Sequence, residues 1–274
     1  MIEKDNSTLT GPERLKAYED NWQTEMGAWF PGERVVLRGK DVFSELSECS
    51  WMEYLIYAVT GRNSPKLAKV IEGLWSLSTS FPDPRLWNNR VAALAGTARS
   101  TGVLAISAGI ATSEATVYGL RPIKGALDFL YRAEAKKRKG ALVESIVTEE
   151  LKTKRSVSGF GRPLTNQDER ITPVLDFLRT MESEQGKFVL LAFEIEDFFK
   201  NSRYKYRMNI AALNAAVAAD FGLTANEYYY LTTMAFTGGM FPCYIDSRTQ
   251  AQGLFFPLSV ERIKPAPCPI RKWI

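Results

Sequence analysis

The chain has 274 residues, of which 45% are hydrophobic, a formal net charge of +4 and no histidine. This length allows one large or two modest hydrophobic cores, and the small net charge gives no argument for nucleic-acid binding. No stretch approaches the roughly 18 uninterrupted apolar residues of a membrane span. The N-terminal residues lack the apolar region of a secretory signal, so none is expected.

The cysteines are three in number, Cys49, Cys243 and Cys268, and none of them has CxxC spacing. An odd, scattered set predicts neither a disulfide framework nor a zinc site. Free thiols suit a reducing compartment, so we expect a cytoplasmic protein without a bound metal.

Helix signals dominate the chain, and the only convincing strand pattern is the short run Arg34–Arg38. Ser64 and Pro65 predict a helix start, and Asn88 or Asn89 predicts the cap of a further helix that Gly102 would close. Later helices are predicted over residues 104–118 and from Thr172-Pro173 onward. A further helix is predicted by the apolar stripe Ile210, Leu213, Val217 and Phe221, and Gly222 would end it. The capping box Thr224–Glu227 predicts the start of the next helix.

These elements predict an all-α protein with a small β element near the N-terminus. Residues 152–170 form the one long irregular stretch, and such loops are often functional. A local excess of Lys and Arg over residues 132–155 indicates either a solvated helical surface or the rim of a site for a phosphorylated ligand. Nucleic-acid binding there is not favoured, because aromatic residues do not interleave with the basic ones.

Four phrases, in this order along the chain, are similar to those of a known family. Glu33–Val42 (ERVVLRGKDV) leads into a helix with Trp51–Ile56 (WMEYLI), and Val157–Pro163 (VSGFGRP) precedes Asp168-Glu-Arg170. Met208–Ala212 (MNIAA) and Gly239–Arg248 (GMFPCYIDSR) follow. Together they resemble the citrate synthase/citryl-CoA lyase family over most of residues 33–250. The resemblance implies a two-domain helical fold with coenzyme A (CoA) thioesters as ligands.

The departures from the family pattern fall on its chemistry. By the resemblance, Ile123 and Arg162 stand where the family has histidines, and Ala211 stands where it has the aspartate that removes the α-proton. Cys243 occupies another histidine position. Loss of a general base costs about 10²–10⁴ in rate, and loss of a donor to a developing oxyanion costs about as much again. Ordinary citrate synthase activity is therefore not expected.

Ligand-binding features match the family better than catalytic ones do. The resemblance implies CoA contacts for the loop Ser158, Gly159, Phe160, Gly161 and Arg162, whose glycines allow close backbone approach. It also implies that Arg170 and Arg248 hold a carboxylate, for which guanidinium groups are suited. Arg85 and Arg90 are further candidates for such a wall, although helix capping and local charge pairing explain the same segment equally well.

Replacement catalytic groups have only weak support from the sequence. Lys124 lies beside Ile123 and is a candidate donor, although a plain surface lysine is the simpler interpretation. Asp128, Asp246 and Glu114 are candidate bases, each equally explained as a solvated helix residue. Cys243 fits a small buried hydrophobe better than a nucleophile, because no histidine lowers its pKa.

Two functions remain open from the sequence. The first is an enzyme that makes or breaks a carbon–carbon bond beside a thioester, or transfers an acyl group, with a CoA thioester as substrate and no tightly bound cofactor. The second is an inactive homologue that senses a ligand or acts as a scaffold. The resemblance implies a large domain of residues 1–120 and 207–274, a small domain of residues 121–206, and a homodimer or a pairing with a citrate synthase-like paralogue. A small anionic ligand is expected in either case.

Overall fold

A computed structural model of the chain describes residues 11–20, 24–79, 81–162 and 167–254. The chain divides into two compact units, residues 1–64 and residues 65–274. Among the described residues, no helix combines the length and the apolar character that a bilayer-spanning segment needs. The prediction for Cys268 lies outside the described residues.

The described part of the first unit contains a small sheet and two helices. The elements are α1 (Gly11–Ala17), β1 (Gly27–Phe30), β2 (Arg34–Leu37), β3 (Lys40–Asp41) and α2 (Trp51–Thr60). Strand β2 pairs antiparallel with both β1 and β3, with Gly27 opposite Leu37 and Val36 opposite Asp41. The Arg38 guanidinium donates to the Ala58 carbonyl at the end of α2.

The described part of the second unit is helical. Its elements are α3 (Pro65–Ser78), α4 (Trp87–Thr97), α5 (Gly102–Ser113), α6 (Leu120–Arg138), α7 (Val143–Lys154), α8 (Ile171–Thr180), α9 (Lys187–Asn201), α10 (Ile210–Asp220), α11 (Ala225–Ala235) and α12 (Thr237–Thr249). The expected fold class, all-α with a small N-terminal β element, is confirmed.

Helix α10 is the most thoroughly buried element, with Ala212, Leu213 and the run Ala215–Ala219 all inaccessible or nearly so. A helix that is apolar on every side belongs in a core, and α10 packs against α6 and α9. Its small side chains keep these neighbours close. The N-terminus of α10 therefore projects from the core at a fixed position, which matters for the site below.

Three helices, α4, α5 and α12, pack together through glycines. A Cβ on Gly96 would lie 1.9 Å from the Ser247 Oγ, and one on Gly109 would lie 2.7 Å from the Met240 sulfur. The prediction of an asparagine cap for α4 is wrong, since the cap is Leu86 and both Asn88 and Asn89 are buried in the first turn. Gly102 begins α5 instead of closing α4, because Thr101 caps α5 through its side chain.

Candidate functional site

A cavity of about 300 Å³ lies within the second unit. Among the described residues, its walls come from α3, the start of α6, the residues Gly161, Arg162, Asp168 and Arg170, the first turns of α10, and α11 with the residue that follows it. The apolar lining residues are Ile71, Leu74, Trp75, Leu86, Val117, Pro122, Ile123, Ile210, Ala211, Ala235 and Phe236.

Two helices give the cavity its length. Helix α3 contributes Ile71, Leu74, Trp75 and Ser78, which follow one another at the spacing of a single helical face. The seven helical steps from Ile71 to Ser78 span about 10 Å of helix axis. Helix α11 contributes Tyr228, Thr232 and Ala235 over a comparable length. The cavity is therefore an elongated space between helix faces.

One end of the cavity is charged. Asp168 Oδ1 accepts from Arg170 Nε at 2.8 Å, and its Oδ2 accepts from Arg170 Nη2 at 2.8 Å and from the Ile210 amide at 2.9 Å. The Asp168 side chain is fully buried. Burial favours the neutral acid, but the Arg170 guanidinium and the backbone N–H groups outweigh it and hold the pKa of Asp168 below its usual range. Asp168 is thus an ionised, fully occupied acceptor.

Arg162 lies beside this pair, with Nη1 3.8 Å from Asp168 Oδ1. The same nitrogen donates to Glu169 Oε2 at 2.7 Å and to the Gln167 carbonyl at 2.9 Å. Of the described residues, none accepts a hydrogen bond from Nε or Nη2 of Arg162. Arg170 Nη1 has only a 3.4 Å contact with the Ser78 carbonyl. Both guanidinium groups therefore retain donors for a ligand.

The glycine loop, Ser158–Arg162, is held in place by backbone hydrogen bonds to the residues that precede α10. Gly159 and Gly161 have φ values of 88° and 90°, and a Cβ on Gly159 would lie 2.6 Å from that of Ala212. The Gly161 amide donates to the Arg207 carbonyl, and the Gly159 carbonyl accepts from the Asn209 amide. Asn209 also caps α10 and donates to the Gly161 carbonyl. These bonds set the loop against the start of α10.

Several positions singled out from the sequence meet in this cavity. Ile123, Arg162, Arg170 and Ala211 line it together with Gly161. Phe160 is buried against Phe199 and is not among the lining residues. Ser158 lies against Gly125 of α6, and a Cβ added to Gly125 would lie 2.9 Å from the Ser158 Oγ. The predicted loop thus has one edge on the cavity and the other on α6.

The remaining candidate arginines lie elsewhere. Arg85 forms an exposed ion pair with Asp83, and Arg90 donates to the Pro84 carbonyl. Arg248 donates to the Ser100 carbonyl and lies over the Tyr244 ring. None of the three is among the residues that line the cavity.

The weak catalytic candidates are also outside the cavity. Lys124 and Asp128 border a separate, open depression with Glu114 and Arg121, and Lys124 donates to Asn226 Oδ1 at 2.7 Å. Cys243 is buried within α12, and burial raises the pKa of its thiol. Asp246 is exposed. Nothing in these positions places a nucleophile or a base beside the guanidinium groups.

Sequence reasoning missed several polar groups of the cavity. Ser78 Oγ and Asn214 Oδ1 are buried there without a hydrogen-bond partner among the described residues. Tyr118 is also a lining residue, and burial raises the pKa of its hydroxyl despite the positive charges of Arg170 and Arg162. Tyr118 is therefore a neutral donor. No motif marks these residues, because only the folded chain brings them together.

The basic segment 132–155 is a helical surface of ion pairs. Arg132 pairs with Glu150, and Lys136 pairs with Glu149. Lys137 pairs with Glu194 of α9. Each of these cations already has a carboxylate partner, as expected for a solvated surface.

This architecture is the citrate synthase-like helical fold, which solved structures of lyases and synthases share. Citryl-CoA lyase from Hydrogenobacter thermophilus has a TM-score of 0.78 at 18% identity, covering 92% of this chain and 97% of its own. ATP citrate lyase from Methanothrix soehngenii, solved in complex with citrate and coenzyme A, has a TM-score of 0.74 at 16% identity, covering 95% of this chain. Citrate synthase from Thermotoga maritima has a TM-score of 0.63 at 18% identity, covering 82% of this chain and 60% of its own.

The present chain spans 45% of the ATP citrate lyase chain. No family model and no curated protein matches the sequence. At these identities the similarity establishes the fold, and the chemistry has to be argued from the residues of the cavity.

Proposed function

We propose that this protein binds a carboxylate ligand, free or as its CoA thioester, in the cavity and does not enolise it. The observation that carries the proposal is the state of Asp168, which is the only carboxylate among the described lining residues. Both of its oxygens accept hydrogen bonds, and its pKa is lowered. A carboxylate held in this way is a poor proton acceptor, whereas removal of an α-proton requires a base of matched pKa.

The binding half of the proposal rests on the two guanidinium groups. Arg162 and Arg170 are mostly buried, with side-chain exposures of 26% and 19%, and each retains at least one donor that makes no close hydrogen bond to a described residue. Charge-assisted hydrogen bonds from arginine to a carboxylate are among the stronger polar contacts in proteins. Their partial burial limits solvent screening.

The CoA part of the proposal rests on the fold and the glycine loop. Structures with this fold include one in complex with citrate and coenzyme A. In the present chain, Gly161 and Arg162 of this loop line the cavity, so that a thioester in the cavity would pass beside them. We also propose that residues 121–206 form a small domain, separate from a large domain of residues 1–120 and 207–274.

An active enzyme is the second candidate function, and one observation favours it. The Tyr118 hydroxyl and the two guanidinium groups are hydrogen-bond donors in one cavity, and such donors can polarise a thioester carbonyl. An acyl-transfer reaction needs this polarisation but does not need an α-proton to be removed.

Self-association is the proposed assembly. The exposed face of α5 carries Val103 and Leu104, which are 77% and 62% accessible, followed by the small residues Ser107, Ala108 and Ala111. An exposed helical face of this composition is typical of a protein–protein contact. A second copy of the chain, or a paralogue of the same fold, is the proposed partner.

Calorimetric titration with citrate, oxaloacetate, octanoate, CoA and acetyl-CoA tests the binding function. We expect at least one carboxylate or thioester to bind, and R162Q to weaken it by about tenfold or more, since a bond to a charged group contributes about 1.5–3 kcal/mol. R179Q is the matched control, because Arg179 is exposed and pairs with Asp176 on the surface of α8. Absence of binding by every ligand would refute the proposal.

Proton exchange tests whether the protein enolises a thioester. Acetyl-CoA is incubated with the protein in heavy water, with and without oxaloacetate, and the thioester methyl signal is followed by NMR. We expect exchange at the background rate. Exchange well above background would show that the protein enolises the thioester, in favour of the enzyme.

A further inference from the structure

The cavity is too apolar and too nearly neutral for a polycarboxylate. At its charged end, Asp168 pairs with Arg170, and Glu169, which is not among the lining residues, pairs with Arg162. The local formal charge is therefore zero. Each additional buried anionic group without its own counter-charge is costly. The free donors of Arg162 and Arg170 can compensate one carboxylate, but among the described residues no third cation lines the cavity to hold two more.

The rest of the cavity offers apolar surface to a ligand. Along α3 the lining changes from Ser78 at the charged end to Leu74 and Ile71, two helical turns away. Trp75 and Phe236 add aromatic surface, and aromatic rings favour contact with another ring. A ligand that filled this space with carboxylates would leave these residues against charged groups.

The volume sets the size of the apolar part. An apolar cavity of about 150 Å³ accommodates benzene, and this cavity has about 300 Å³. Allowing room for the carboxylate at the charged end, the space fits a body of about eight to ten non-hydrogen atoms.

Resting on the proposed function, we infer that the ligand is a monocarboxylate with an apolar body, such as an aryl-alkanoate or a medium-chain acyl group. The carboxylate, or the thioester carbonyl that replaces it, lies at Arg162 and Arg170. The apolar body extends along α3 between Leu74 and Ile71. Ser78 and Asn214, whose buried side-chain oxygens have no partner in the described part of the chain, accept hydrogen bonds from any donor that the ligand carries between these two ends.

A ligand series tests this inference with the unmodified protein. Titration with acetate, butanoate, hexanoate and octanoate is expected to show affinity rising about fourfold for each methylene that is buried, until the cavity is full. 4-Phenylbutanoate is expected to bind at least about tenfold more tightly than citrate. 4-Phenylbutanol, which has the same body without the charge, is expected to bind at least about tenfold more weakly than 4-phenylbutanoate.

Variants locate the binding within the cavity. A211L fills part of the space and is expected to weaken octanoate binding by about tenfold while affecting acetate little. A251L is the control, because Ala251 is exposed. If A211L does not fold, the chain-length series alone decides the question.

The possible results distinguish the inference from the function on which it rests. Tighter binding of citrate than of 4-phenylbutanoate, or affinity that does not change with chain length, would overturn the monocarboxylate inference and leave carboxylate binding intact. Equal binding of the alcohol and the acid would overturn the inference and remove the role of the guanidinium groups. Failure of every carboxylate and thioester to bind would refute the proposed function itself.

Discussion

Asp168 and Arg170 form a two-pronged ion pair, with Oδ1 and Oδ2 each 2.8 Å from a guanidinium nitrogen, and the Ile210 amide completes the set. The pair joins the segment before α8 to the first turn of α10. Because the Asp168 side chain is fully buried, removal of either partner leaves a charge in the interior. The pair therefore stabilises the fold and also forms part of the cavity wall.

The D168N variant should be less stable by about 3 kcal/mol at neutral pH, since it leaves the largely buried Arg170 without its counter-charge. Urea unfolding followed by circular dichroism measures this difference. The surface variant D176N, which breaks the exposed pair with Arg179, should change stability by less than about 1 kcal/mol. Equal effects of the two variants would contradict a structural role for the buried pair.

Acid pH should weaken the same contact. The pKa of Asp168 is lower in the folded chain than its ordinary value near 4, so the folded state favours the ionised form. Its contribution to stability is complete above pH 4 and is lost as the pH falls through the lowered native pKa. We expect the stability difference between the parent protein and D168N to shrink below pH 4. A difference that stays constant down to pH 2 would show that Asp168 does not titrate in this way.

Two glycines of the loop form a matched pair for mutagenesis. G161A introduces a side chain at φ 90°, where the nearest atom, Cδ1 of Tyr206, lies at an ordinary contact distance of 3.6 Å, and should cost about 1–2 kcal/mol. G159A has the same conformational cost and also places its Cβ 2.6 Å from that of Ala212, which adds about 1–3 kcal/mol of overpacking. Thermal unfolding should rank G159A below G161A. The reverse order would mean that the loop is not held against α10.

Introduction of a carboxylate at Ala211 should weaken ligand binding. A211D places a negative charge in the cavity that Arg162 and Arg170 line, so we expect carboxylate binding to weaken by about tenfold or more, by competition for the same donors. A251D adds the same charge at an exposed position and should have little effect. The measurement is calorimetric titration of both variants with octanoate, and an unchanged affinity of A211D would place the ligand elsewhere.

The face of α5 provides a test of assembly. Sedimentation velocity should show the parent protein as a dimer and the double variant V103E/L104E as a monomer, because two charges on an apolar contact face are costly to bury. L190E is the control, since Leu190 is also about half exposed but lies on α9. A monomeric parent protein, or a dimer that survives V103E/L104E, would rule out this contact.

Local signals in the sequence predicted the starts of several elements. Pro65 begins α3 as expected, and Thr224 with Glu227 forms the predicted capping box of α11. The predicted strand over Arg34–Arg38 is β2, but its partners β1 and β3 were missed. β1 carries Gly27 and exposed aromatic residues without an alternating pattern, and β3 is two residues long, so that only pairing with β2 defines them.

The candidate site was predictable only where a motif surrounds the residue. Arg162, Arg170 and Ala211 lie in phrases that resemble the family, and all three line the cavity. Ser78 and Asn214 lie on helices, whose sequence pattern reports only which face is buried, and Tyr118 lies in the connection between α5 and α6. Their shared cavity depends on how α3, α10 and this connection pack, and no local pattern encodes that arrangement.

The contact between Asp168 and the Ile210 amide joins residues 42 positions apart. Closing a loop of this size costs chain entropy before any contact offsets it, so the charged end of the cavity is expected to assemble late in folding. A chain that has emerged only as far as α9 lacks the amide that orients Asp168, and its two arginines have no fixed geometry. Ligand binding would then report the completion of tertiary folding, and a ligand present during synthesis would stabilise only the finished cavity.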